Sequence, residues 1–330
     1  MFKIPAQPYS IDRRFCIAPM MDLSDRHCRY LWRVITRHAV LYTEMVTTGA
    51  VLKGDRDYLL KFDPTEHPLA LQLGGSDPQA LAQCAQIAQE WGYDEINFNC
   101  GCPSDRVQTG KIGAILMAEP NLVADCMAAM RESCSLPVTI KHRIGIDDMD
   151  DYEDMVKFVD IVAGSGCDTF IIHARKAWLK GLSPKQNRDI PPLKYELIFQ
   201  LKKAFPHLQI IINGGIKSLS QAKFLLQHVD GVMIGREAYQ NPYFLADVDQ
   251  ILFASTAPIK SRKEITHAFI DYVKHELSEG TSLHHMTRHL LGLYAAQPGA
   301  RQFRRYLTEN ASQPGATAEV IQKALSYPQA

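Results

Sequence analysis

Eight short apolar stretches punctuate the first three-quarters of the chain: Phe15–Met20, Val40–Val46, Leu69–Gly74, Glu95–Gly101, Pro137–Gly145, Thr169–Arg175, Gln209–Ile216 and Gly231–Ala238. Most are nearly continuous in hydrophobicity rather than alternating, the pattern of strands covered on both faces. Their starts lie 22 to 42 residues apart, with helical periodicity between them. Leu81, Cys84, Ala85, Ala88 and Trp91 recur on one helical face behind Asp77-Pro78, a cap residue with proline at the first turn. Ser218 with Gln221 three residues on has capping-box spacing. Such strand–helix repeats predict a parallel α/β sheet, and eight of them match a closed (β/α)8 TIM barrel. An open doubly wound sheet is the alternative. The polar residues favour the barrel. Gln72, Asn97, Asn99, Lys141, Arg143, His173, Arg175, Asn213 and Arg236 gather at the carboxyl ends of the segments, the active-site face of a barrel.

The pattern changes near Thr256–Ser261. Lys263 to Leu277 reads as an amphipathic helix with Ile265, Ala268, Phe269, Tyr272 and Leu277 inward. Helical signals follow at Leu283–Tyr294 and Gly299–Glu309, with no strand between. The expected organisation is therefore a barrel over 1–256 and a small all-helical domain over 257–330.

Composition narrows the class. Apolar residues make up 46% and charged residues 22%, as in ordinary globular chains. No apolar run is long enough to span a membrane, and Met1 to Arg14 lacks the apolar core of an export signal, so a cytoplasmic location is expected. Eight cysteines in 330 residues are too sparse for a disulfide scaffold. Lys+Arg and Asp+Glu balance at 36 each, which excludes polyanion binding by bulk charge but not by a local basic surface.

Candidate chemistry follows from the segment ends. Asn213-Gly214-Gly215 and Gly235-Arg236 close segments seven and eight, where barrels most often hold a phosphate. Glycines admit close backbone approach and arginine adds a charged fork. Gln72, Lys141 and His173 around one cavity suit a flavin ring, which needs donors and nearby positive charge. A substrate carboxylate or a Schiff-base role would suit Lys141 equally well. Cys100 and Cys102 end segment four, but no second Cys/His pair at matching spacing supports a metal. A cysteine thiol, with an ordinary pKa of about 8.5, has a proton to give near neutrality. Arg175 to Arg188 carries five basic residues and no acidic one, with Trp178 interleaved. Arg288, Arg301, Arg304 and Arg305 form a second basic group. Such patches are usually solvated faces, yet a nucleic-acid contact fits them.

Five motifs in order resemble the flavin-dependent tRNA-dihydrouridine synthases: Ala18-Pro19-Met20-Met21-Asp22, Asn99-Cys100-Gly101-Cys102-Pro103-Ser104, Lys141-His142-Arg143-Ile144-Gly145, His173-Ala174-Arg175 and Asn213-Gly214-Gly215-Ile216. The stretches from Arg175 to Lys185 and from Gln297 to Leu307 resemble the bacterial A-type subfamily. That resemblance implies a TIM barrel with a helical tRNA-binding domain, reducing uridine to 5,6-dihydrouridine in the D-loop, at uridines 20 and 20a. FMN would be the cofactor and NADPH (or NADH) the reductant. FMN contacts would fall on Ala18, Pro19, Met20, Gln72, Lys141, His173, Asn213, Gly214, Gly215, Gly235 and Arg236. Cys102 matches the family's proton donor, whereas Cys100 stands where the family has a plain apolar residue. Asn99, Lys185, Arg188, Arg301 and Arg304 would contact tRNA. No membrane and no obligate protein partner are implied. An FMN barrel acting on a free small molecule, or a tRNA-binding protein without redox activity, are the rival readings.

Overall fold

A computed structural model describes residues 11–104 and 110–328. Residues 1–10, on which much of the export-signal reading rests, lie outside it. The strands are β1 (Phe15–Ile17), β2 (Leu41–Tyr42), β3 (Val46–Thr47), β4 (Leu69–Gly74), β5 (Glu95–Cys100), β6 (Val138–Arg143), β7 (Thr169–His173), β8 (Gln209–Asn213) and β9 (Gly231–Ile234). All pairings between them are parallel, in the order β1-β9-β8-β7-β6-β5-β4-β2. A parallel bridge between Cys16 and Val40, with Ile17 N donating to Val40 O at 2.9 Å, brings the first and second segments together and closes the barrel. Each predicted segment carries a strand. The second is split, because Thr43 Oγ1 accepts from Gln72 N at 3.0 Å and interrupts the backbone ladder.

Two apolar layers explain the nearly continuous segments. Inward-facing Cys16, Ala18, Val40, Tyr42, Ala70, Ile171, Ile211 and Met233 form a small cluster in the barrel lumen. The alternate residues, such as Ile96, Phe98, Ile140 and Ile172, join a larger core beneath the surrounding helices. β5 and β6 differ: their inward positions Glu95, Asn97, Asn99 and Thr139 are polar and buried.

The helices start where their caps predict. Asp77 accepts from Gln79 N and Ala80 N at the head of Pro78–Trp91, and Ser218 accepts from Gln221 N at the head of Leu219–Leu225. The predicted helix at 263–277 is Arg262–Ser278, opened by a Ser261–Glu264 capping box. The predicted Leu283–Tyr294 helix is shorter, a turn of α-helix at Leu283–Thr287 passing into 3-10 geometry at Arg288–Leu290. Ala300–Asn310 matches the last predicted helix, and Glu319–Ala324 is an additional one. Helix Arg262–Ser278 packs on the first barrel helix, Arg26–Ile35. Tyr272 stacks on Tyr30 at 3.9 Å and meets His27 Nδ1 at 2.7 Å, while Glu276 pairs with Arg26 at 2.6 Å. Asp25, the cap of Arg26–Ile35, is bound by Arg288 and His289. Among the described residues no helix is long and apolar enough to cross a membrane.

Candidate active site

The period of two along parallel strands sends alternate side chains into the barrel mouth. In register, Gln72 lies beside Asn97, Asn99 beside Lys141, Arg143 beside His173, and His173 beside Asn213. One end of the barrel therefore presents an amide, an ammonium and an imidazole together. The Lys141 side chain makes no hydrogen bond or ion pair among the described residues, and burial together with Arg143 pushes its ammonium down to about 8. Near neutrality it remains mostly charged and unpartnered. His173 is held neutral, its pKa driven well down by burial and then by Arg143 and Lys141. Its Nδ1 accepts from Arg175 N at 3.3 Å, which leaves the proton on Nε2.

Beside this group lies a cavity of about 330 Å³ lined by Asn213, Gly214, Gly215, Gly235, Arg236 and Arg175 among others. Gly214 and Gly215 adopt φ of 118° and 71°, conformations that L side chains rarely take. A side chain at Gly214 would also come within 3.2 Å of the His173 ring, so the cavity and the imidazole are contiguous. Ala18 and Met20 border the same place, since a Cβ at Gly235 would sit 3.5 Å from each. Pro19 lies between them in the chain. Arg175 Nε is buried without a hydrogen-bond partner at the cavity wall, while its Nη1 donates to Pro191 O. Arg236 pairs with Asp189 at 2.7 Å, both half exposed.

The two cysteines part company. Cys100 points outward into the helix-covered core, fully buried, and burial pushes its thiol well up. Cys102 follows the strand and stays partly accessible. Asn99 Oδ1 accepts from Gly101 N and Cys102 N, each at 3.1 Å, and ties the segment to the end of β5. Gly113, at φ 83°, packs against it so closely that a Cβ would lie 2.4 Å from Cys102 O.

Sequence reasoning left Arg143 without a role. It is buried and donates to Gly101 O at 2.8 Å, Lys176 O at 3.0 Å and Asn187 O at 3.2 Å, tying the Cys102 segment to the basic loop. Its guanidinium is lowered to about 10, chiefly by burial. Its inward register in β6 was the available signal. In that loop Asn187 is buried and holds Trp178 N and O, which leaves Lys185 and Arg188 exposed at the rim. Arg301 and Arg304 are exposed on Ala300–Asn310, whose Phe303 and Leu307 face the core. Among the described residues no group of His, Cys, Asp or Glu could hold a metal ion.

The profile of the family described as Dihydrouridine synthase (Dus) matches residues 16–327. A protein of Vibrio parahaemolyticus named tRNA-dihydrouridine(20/20a) synthase is 61% identical over 314 residues, covering 95% of this chain and 96% of its own. Proteins of the same name from Escherichia coli and Pasteurella multocida are 58% and 57% identical, each over 98% of this chain and over 98% and 99% of theirs. The family is in general flavin-dependent. A barrel mouth with this polar set, a profile match over nearly the whole chain and relatives of this identity make the chain a member of the dihydrouridine synthase family.

Proposed function

We propose that this chain reduces uridine to 5,6-dihydrouridine in the D-loop of tRNA, at uridines 20 and 20a, with FMN as cofactor and NADPH, or NADH, as reductant, in the cytoplasm. The observation that carries the reading is the register that sets Lys141 beside Asn99 and His173 beside Asn213 at the barrel end next to the glycine-lined cavity, in a chain so similar to proteins bearing that name. Incubating purified protein with FMN, NADPH and tRNA lacking dihydrouridine, then mapping the product by mass spectrometry, tests it. Dihydrouridine at 20 and 20a is expected. Its absence there, or equal reduction of free uridine, overturns the proposal.

The residues fit FMN. Arg236, the unpartnered Arg175 Nε and the backbone of Gly214, Gly215 and Gly235 suit a phosphate. Gln72, Lys141, His173 and Asn213 would meet the ring, with Ala18, Pro19 and Met20 along its edge. Bound flavin supplies the hydride that uracil C6 accepts. The remaining work belongs to the chain. Lys141 brings a positive charge to the ring, and neutral His173 donates from Nε2 without adding charge. Cys102 holds the proton for C5, as a general acid that does not repel phosphates. The target base must leave its stack to reach this pocket, so backbone contacts must hold the RNA beside it. Asn99 lies in the mouth and would meet that base. Lys185, Arg188, Arg301 and Arg304 would hold the surrounding tRNA, the last two from a helical domain over 257–330.

Two expected results follow. Arg236→Ala should weaken FMN retention, read as flavin lost on dialysis. A charge-assisted contact is typically worth about 1.5–3 kcal/mol. The lower end is expected, roughly tenfold in Kd, because half-exposed Arg236 must give up Asp189 to take a phosphate. Full occupancy after dialysis would remove Arg236 from the phosphate site. Replacing Arg301 and Arg304 together should weaken tRNA binding and lower the slope of log K against log salt by about 1–2. NADPH oxidation without tRNA should be unaffected. Unchanged binding would move the docking surface elsewhere.

A further inference from the structure

A chain of side-chain hydrogen bonds runs the length of the barrel interior. At its base Glu95 is fully buried and accepts from Arg13 Nε at 2.6 Å, Tyr42 OH at 3.0 Å and Thr139 Oγ1 at 2.7 Å. Thr139 Oγ1 in turn accepts from Asn97 Nδ2 at 2.8 Å. Asn97 Oδ1 accepts from Gln72 Nε2 at 2.7 Å, and Gln72 Oε1 from Asn99 Nδ2 at 2.8 Å. Asn99 Oδ1 ends the chain on Gly101 N and Cys102 N.

The direction of this chain is dictated by its base. A carboxylate can only accept. Thr139 must therefore donate to Glu95 and keep its lone pair for Asn97. Each amide is then oriented with its NH2 toward the base and its carbonyl toward the mouth. The last carbonyl is Asn99 Oδ1, which the two backbone donors of the Cys102 segment need. A reversed chain would set an NH2 group against two N–H groups. Buried polar networks of this kind are costly when incomplete, so each link holds the next.

We infer that Glu95 and Thr139 are positioning residues for the reaction, acting through this one-way chain on the backbone of Cys102. The inference rests on Cys102 being the proton donor. Glutamine at position 95 would have to turn its NH2 toward a partner that already donates, Arg13 on one side or Thr139 and Tyr42 on the other. Thr139→Val removes one link without changing charge or shape, whereas Thr139→Ser keeps the hydroxyl.

The test uses flavin-loaded full-length protein, with single-turnover reoxidation of the reduced enzyme by tRNA as one readout. The second readout is amide hydrogen exchange in the peptide holding Gly101 and Cys102. Thr139→Val should slow reoxidation roughly tenfold to a hundredfold, the cost of a misplacement of about 1 Å. It should speed exchange at that peptide selectively, and Thr139→Ser should restore both. In a Cys102→Ala background Thr139→Val should cost nothing further, because no thiol is left to place. Glu95→Gln gives a second, independent break read in the same way. An unchanged reoxidation rate, or the same factor in the Cys102→Ala background, would overturn the inference while leaving the acid in place. A Cys102→Ala enzyme that reoxidises at the wild-type rate would instead sink the acid assignment itself.

Discussion

Cys102→Ala is expected to slow reoxidation of the reduced enzyme by tRNA by about 10²–10⁴, the range typical of a lost general acid. That factor corresponds to about 3–5 kcal/mol of barrier. Reduction by NADPH should proceed at the wild-type rate, because that half-reaction protonates no carbon of the base. The control lies two residues away. Cys100 is fully buried beneath the helices and faces away from the barrel mouth, so Cys100→Ala should change packing and leave reoxidation nearly untouched. Stopped-flow flavin absorbance on both variants, with tRNA and with NADPH separately, decides the matter. If Cys100→Ala slows the tRNA step and Cys102→Ala does not, the two assignments are exchanged. If neither slows it, the C5 proton comes from water or another group.

The largest loss of stability is expected from Glu66→Ala. Glu66 closes the 3-10 turn Pro64–Glu66, where its Oε1 accepts from Asp63 N at 2.8 Å. Its Oε2 accepts from Arg29 Nε at 2.6 Å, and both side chains are almost wholly buried. Arg29 Nη1 donates to Ser24 O at 2.9 Å, and among the described residues Glu66 is the one carboxylate paired with the guanidinium. Removing Glu66 strands a buried positive charge and opens the capping box. Breaking one side of such a pair costs about 3–5 kcal/mol, which for a chain of this length is roughly 4–7 °C in Tm. Glu309→Ala breaks an i,i+4 pair with Arg305 that is solvent-exposed on both sides, and its melting should be indistinguishable from wild type. Differential scanning calorimetry on the two variants separates them. Equal melting of Glu66→Ala and wild type would mean that Arg29 finds a new partner or water.

Much of the fold was legible in the chain because its signals are local. Apolar runs 22 to 42 residues apart, cap residues such as Asp77 and Ser218, and polar residues at the segment ends each depend on neighbours a few positions away. From these came the barrel, the active-site end and the helical tail. Alternation could not separate Cys100 from Cys102, since residues two apart on a strand lie on the same face; the resemblance of the motif around Pro103 did. Tertiary structure decided what local signals cannot carry. Glu95 stands first in its strand, where an isolated acid reads as a solvated terminus, yet closure of the barrel buries it against Arg13, Tyr42 and Thr139. Arg143 became a tie between two loops only when β6 placed it beside the carbonyls of Gly101, Lys176 and Asn187. The second strand broke at Thr43 for a reason set by Gln72, a partner distant in sequence. Periodicity and capping are properties of a short stretch of backbone, so the sequence alone determined them. Side-chain partnerships across a parallel barrel depend on register and closure, which exist only once all eight segments have paired.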